Sequence, residues 1–112
     1  MNIENFREFC LAKKAVTESF PFDQTTLVFK VAGKMFALTD LNPPFCINLK
    51  CDPERAIELR ETYATIIPGY HMNKIHWNTI EVDDSFSDDF LKDLINHSYN
   101  LVKESLPKKL KP

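Results

Sequence analysis

The sequence predicts a two-layer α+β domain, an antiparallel sheet with helices on one face, in the order α-β-β-β-α-β(β)-α. Three stretches carry that expectation. TTLVFKVAGKMFALTD alternates on both sides of Ala32-Gly33, as a hairpin does. DPERAIELR opens with an aspartate, a proline and a glutamate, the chemistry of a helix start. SFSDDFLKDLINHSYNLV repeats its apolar residues at helical spacing. A chain of 112 residues, 44% hydrophobic and 27% charged, without internal repeats, is the size and composition of one domain, here 1–112.

Taken in order, Ile3, Phe6, Phe9 and Cys10 recur at helical spacing and predict a first helix from about Ile3 to Lys14, with Asn2 as its N-cap. A connector containing Pro21 follows. A two-residue loop at Ala32-Gly33 then pairs Phe29 with Phe36 and Leu27 with Leu38 on one face, leaving Val28, Lys30, Met35 and Ala37 on the other. Asn42, Pro43 and Pro44 break the chain before a third strand, FCINLK, which aims Phe45, Ile47 and Leu49 at the core and leaves Cys46, Asn48 and Lys50 on the open face. Asp52 caps a second helix that runs through Ala56, Leu59, Tyr63 and Ile67 until Pro68 and Gly69. TIEV is a strand, with a short hairpin turning at Asn73-Lys74 as a further expectation. Ser87 caps the last helix, Phe86 and Leu91 staple its first turn, and Pro107 ends it.

Several function classes are disfavoured. Glu4, Arg7 and Glu8 stand where a signal peptide needs an apolar core, and no segment has the length of a membrane span, so a cytoplasmic location without membrane contact is expected. Cys10, Cys46 and Cys51 lack CxxC spacing and read as reduced thiols. With only Gly33 and Gly69 the chain has no phosphate-cradling loop, so no nucleotide cofactor is expected. A net charge of −2 is the reverse of a strongly basic nucleic-acid binder, so any basic face must be local. His71 and His76 lie five apart, off the spacing of a helical zinc pair, and two ligands fall short of the three or four zinc takes, so no metal is expected. Cys46 would need a base and an oxyanion hole to act as a nucleophile, and an inert, partly buried thiol is the plainer reading. The chain is therefore expected to bind rather than catalyse.

GKMFAL, LKCDPERAIELR, PGYHMNKIHWNT and SYNLV together resemble the MmcQ/YjbR-like family, over nearly the whole chain and most specifically in HMNKIHWN. The resemblance implies a secretion-chaperone-like α+β fold, also described as a double wing, and with it a DNA-binding role. It carries over no catalytic residues. Residue types suited to that role are Lys30 and Lys34 beside the first hairpin turn, Lys50 on the third strand, and Lys74, His76, Trp77 and Asn78 in the PGYHMNKIHWN segment: cations for phosphate, and polar or stacking groups for bases. For Trp77 the plainer alternative is packing against the last helix, and for Lys34 and Lys74 a turn lysine that keeps sheet edges soluble. The alternative function is a protein-protein interaction or homodimeric adaptor module, because Val28, Met35, Ala37 and Cys46 would make the open face more apolar than solvent requires.

Overall fold

In the computed structural model, which describes residues 1–70 and 72–112, six strands form one antiparallel sheet in the order β1-β2-β3-β4-β6-β5, with three helices on one face. The chain runs α1 (Ile3–Leu11), β1 (Val16–Ser19), β2 (Thr26–Val31), β3 (Lys34–Asp40), β4 (Cys46–Lys50), α2 (Pro53–Thr62), β5 (Ile66–Pro68), β6 (Trp77–Glu81) and α3 (Asp88–Glu104), then a short 3-10 turn at Lys108–Leu110. Fold class and element order follow the sequence expectation, with one further strand. No helix among the described residues is long and apolar enough to cross a membrane.

Each helix starts on the residue chemistry that its sequence offers. The Asn2 side chain accepts the Asn5 N–H at 2.8 Å, the Asp52 carboxylate accepts the Arg55 N–H at 3.2 Å, and Ser87 Oγ accepts the Phe90 N–H at 3.1 Å. α1 stops at Leu11 rather than near Lys14, because the chain turns through Ala15 at φ 63° to start β1. β1, VTES, lies in the stretch read from sequence as connector. Four residues, half-buried on one side only, are too short a pattern to separate from a loop, yet they pair from Val16↔Val31 to Ser19↔Val28.

The first hairpin turns at Ala32-Gly33, both at positive φ (47° and 87°), as a two-residue primed turn requires. Val31↔Lys34 and Lys30↔Met35 match the expected register. Beyond them the register shifts: Phe29 opposes Ala37 and Val28 opposes Leu38, so the expected pairs Phe29–Phe36 and Leu27–Leu38 do not form. Phe36 is the extra residue of a β-bulge. Side chains alternate faces with period two, so one inserted residue returns Ala37 to the helix side and sends Leu38 to the open face. Phe36 through Thr39 are all buried, which is why apolar pattern alone could not reveal the slip.

α2 is also shorter than expected. It ends at Thr62, Tyr63 is extended, and Ile66–Pro68 forms the edge strand β5 against β6, from Ile66↔Ile80 to Pro68↔Asn78. The β-branched run Thr65-Ile66-Ile67 ahead of a proline favours extended backbone, and it overrides the helical spacing of Tyr63 and Ile67. In α3 the staple pair Phe86 and Leu91 are both buried in the core. That core lies between sheet and helices, where Phe6 meets Phe29 edge-on at 5.5 Å and Phe36 meets Tyr99 at 5.3 Å. Each such ring contributes about 1.5–3 kcal/mol through burial.

A second, smaller apolar cluster sits on the opposite face. Val28, Leu38 and Trp77 are buried there, with Met35 and Met72 packed against them. The register places Ser19, Val28, Leu38, Asn48, Thr79 and Ile67 in one row across this face, and Lys50 beside Trp77 in the next.

Candidate nucleic-acid interface

The segment joining β5 to β6 is held by bonds from three directions. Gly69 N–H donates to Trp77 O at 2.8 Å, Trp77 N–H donates to Asn73 O at 3.0 Å, and the Asn73 side chain accepts the N–H groups of Ile75 and His76 at 2.9 and 3.3 Å. The turn is thus an Asx turn at Asn73 inside a wide loop, not a tight hairpin at Asn73-Lys74. From the open face, Thr79 Oγ1 accepts the Tyr70 N–H at 2.9 Å and donates to Asn48 Oδ1. From the helix side, Arg60 of α2 donates through Nε to Asn78 Oδ1 at 2.6 Å, and through one terminal nitrogen to Trp77 O at 3.3 Å and to Lys74 O. Gly69 allows the closure: a Cβ there would stand 2.7 Å from Trp77 Cβ and 3.0 Å from Met72 Cβ. Arg60 and Gly69 stand in the stretches that carry the family resemblance, but no feature of the sequence assigns them a role at this site; the geometry of the loop does.

The seven residues singled out in the sequence fall into three groups. Lys30, Lys50 and Trp77 share the open face, Lys50 directly opposite Trp77 and Lys30 about 10 Å away across two strand spacings. Lys74 and His76 lie exposed in the loop beside them, with Lys74 Nζ donating to Gly69 O at 3.1 Å and the His76 carbonyl accepting the Cys51 N–H at 2.8 Å. Lys34 and Asn78 face the other way. Lys34 Nζ donates to Ser105 Oγ of α3 at 3.3 Å, and Asn78, 2% exposed, is spent on Arg60 and the Ala56 carbonyl. Trp77 is 8% exposed and packs on Val28 and Leu38, on the face opposite the last helix rather than against it. A ring so covered is no stacking platform. His71 lies outside the described residues.

What unites the lysines is an end of the molecule rather than a face. β2 ends, β3 begins, β4 ends and the β5–β6 loop turns at the same end of the sheet, the end to which α1 and α3 also run. Lys13, Lys14, Lys30, Lys34, Lys50, Lys74 and Lys103 therefore gather there, with Lys108, Lys109 and Lys111 just beyond, ten of the eleven lysines in the chain. The opposite end is built from residues 1–5, 19–27, 39–47, 62–66 and 81–90, which hold eight acids and no lysine or arginine. Lys30 and Lys50 form no ion pair among the described residues. A net charge of −2 thus conceals two ends of opposite sign.

The three thiols are held in their protonated form by their surroundings. Burial pushes the Cys10 thiol up to about 12 and the Cys51 thiol up to about 11, and burial together with the carboxylates of Glu81 and Asp40 raises Cys46. Thiolate, the reactive form, is disfavoured at all three. Among the described residues no group of three histidine, cysteine or acidic side chains is placed to hold a metal. His97 Nε2 accepts the Asp52 N–H at 3.1 Å, which ties the start of α2 to α3 and requires a neutral ring; burial and nearby Arg55 lower its pKa accordingly.

Comparison with known proteins gives consistent matches. The YjbR family profile covers residues 11–101. The chain is 40% identical over 108 residues to the uncharacterized protein YbdF of Escherichia coli O157:H7, spanning 95% of this chain and 88% of that one. It is 31% identical over 108 residues to the uncharacterized protein YjbR of Escherichia coli K12, spanning 96% and 92%. Among solved structures, the DUF419 domain protein DR2400 of Deinococcus radiodurans superposes with a TM-score of 0.92 at 40% identity, over 97% of this chain and 84% of that one. A Pseudomonas syringae protein superposes with a TM-score of 0.76 at 28% identity, over 90% and 98%.

Proposed function

The chain belongs to the YjbR family, and we propose that it is a cytoplasmic DNA-binding domain, a binder rather than a catalyst, that meets the phosphate backbone with its lysine-rich end. The observation that carries this reading is the gathering of ten of eleven lysines at one end of the sheet, away from eight acids at the other. Phosphate contact dominates the affinity of such proteins and needs local, not net, positive charge.

Two hairpin tips project at the same end: the Ala32-Gly33 turn and the braced loop around Asn73. Their strand pairs are centred three strand spacings apart, about 14 Å. That is close to the width of a duplex major groove, about 12 Å, so the two tips serve as the wings of a double wing. Lys50 lies between them on the open face, and Lys30 stands at the base of the first tip on the same face. With Trp77 covered, duplex backbone is a better partner than single strands, whose binding draws on stacking.

The test is a fluorescence-anisotropy titration of labelled duplex and single-stranded DNA at several salt concentrations, for the parent and the double variant Lys30→Ala, Lys50→Ala. Saturable duplex binding that weakens with salt is expected. Its slope of log K against log salt should become shallower by about 1 for each phosphate-bound lysine that the substitutions remove. Absence of binding at low salt, or an unchanged slope in the variant, would overturn the proposal. The alternative of an adaptor or homodimer acting through the open face has less to draw on. Ala37 faces the helices, and Val28, Leu38 and Trp77 are already covered within one copy.

A further inference from the structure

The acidic end carries apolar surface that the fold does not use. Phe22 is 64% exposed, Phe20 46% and Leu41 41%. They are not frayed outward: Asp23 accepts the N–H groups of Thr25 and Thr26 at 2.9 and 2.6 Å, and Leu41 N–H donates to Thr25 O at 2.9 Å, which joins the β1–β2 and β3–β4 connectors. A fixed loop that holds phenylalanine in water gains nothing for stability from the ring. The β3–β4 connector leads from Leu41 to Phe45, and Phe45 lines an open hollow of about 550 Å³ with Met1, Asn2, Ile3, Glu4 and Val82. A hollow of mixed polar and apolar lining and the exposed Phe20, Phe22 and Leu41 thus lie at the same end of the molecule, the one without a lysine or arginine, where the ammonium of Met1 is already paired with Asp88 at 2.9 Å.

We infer that this end is a docking surface for a basic, amphipathic peptide segment of a partner protein. Apolar side chains of the segment would fill the hollow and cover Phe20, Phe22 and Leu41, while its lysines or arginines would meet Asp23, Asp40, Glu4 and Glu81 around the rim and stack on the phenylalanine rings. Charge complementarity selects the occupant: an acidic rim repels nucleic acid and acidic peptides and attracts a cationic chain. The surface lies at the far end of the strands from the DNA-binding end proposed above and is independent of it, so one domain would bridge DNA and a basic partner.

The experiment titrates a labelled twelve-residue amphipathic peptide of leucine, lysine and arginine into the full chain, beside an isomer in which glutamate replaces the cations. The parent is expected to bind the basic peptide saturably and not the acidic one. Phe22→Ser combined with Leu41→Ser is expected to weaken binding at least tenfold while leaving the melting temperature unchanged, and Glu4→Lys to weaken it and flatten its salt dependence. Three results would overturn the proposal: absence of saturable binding by the parent; equal binding by the Phe22→Ser, Leu41→Ser variant, which would make the attraction a diffuse charge effect; or light scattering that grows with concentration and is abolished by that variant, which would make the occupant a second copy of the chain. Failure here leaves the DNA titration untouched, because its variants lie at the other end.

Discussion

Arg60→Ala tests whether the loop at the lysine-rich end is built as described. Arg60 is the cationic donor to Asn78 Oδ1 and the bridge to the carbonyls of Trp77 and Lys74. The Lys74 carbonyl, at an exposed bond, regains water when the guanidinium is removed, and the Trp77 carbonyl keeps the Gly69 N–H at 2.8 Å. Asn78 has neither recourse, being 2% exposed, so its oxygen is left buried without a donor. Such an orphaned group costs about 1–3 kcal/mol, and bonds to a charged donor lie at the upper end, which puts the loss at about 2–3 kcal/mol. For a domain of this size that lowers the melting temperature by about 8–12 °C. Urea denaturation should show a lower midpoint with an unchanged m value. The cycle with Asn78→Ala isolates the pair: once both partners are gone no oxygen is stranded, so the double variant should lose less than the sum of the singles, by about 1 kcal/mol or more. A loss below about 0.5 kcal/mol for Arg60→Ala, or strict additivity in the cycle, would refute the clasp.

Four further outcomes follow from particular contacts. Gly69→Ala should destabilise the domain by about 1–3 kcal/mol in urea, because its methyl meets Trp77 at 2.7 Å; a neutral result would mean the loop closes differently. The only tryptophan, Trp77, should emit at short wavelength and resist iodide quenching, and a fully quenchable signal would contradict its burial. Under native conditions Cys46 should alkylate first, since Cys10 is fully buried with its thiol pushed up to about 12, and Cys51 is 5% exposed with its thiol pushed up to about 11; mapping of the labelled cysteine by mass spectrometry checks the order. His97 has a lowered pKa in the folded state, so the unfolded chain takes up the proton more readily and stability should fall as pH drops below about 6.5. His97→Gln should remove that part of the profile and leave the deeper acid loss, to which Glu18 contributes through the bond from Arg7 that lowers its pKa.

Helix starts were legible in the sequence because each is a local rule: Asn2, Asp52 and Ser87 cap the three helices that the pattern predicts. Strand edges were less so. VTES and IIP are short, and each earns its place only by pairing with a strand distant in sequence or across a loop, information that no local window contains. The bulge at Phe36 was hidden because Phe36 and the three residues after it are buried whichever way they point. For the candidate site, residue type singled out Lys30, Lys34, Lys50, Lys74, His76, Trp77 and Asn78 together, but it could not tell that Asn78 turns inward or that Lys34 reaches α3, since a shift of one residue along a strand reverses the face. The segregation of charge was present in the sequence all along. It becomes visible only when topology says which loops share an end.

That segregation makes the molecule an electric dipole lying along its strands. In the field of a polyanion such a body feels a torque before it feels contact, so it is turned while still a Debye length away, about 8–10 Å at physiological salt. Encounters with the acidic end leading are repelled, and those with the lysine-rich end leading are drawn in. A small domain with net negative charge can thereby approach another anion at a useful rate, and added salt should slow that approach more than a net charge of −2 would suggest.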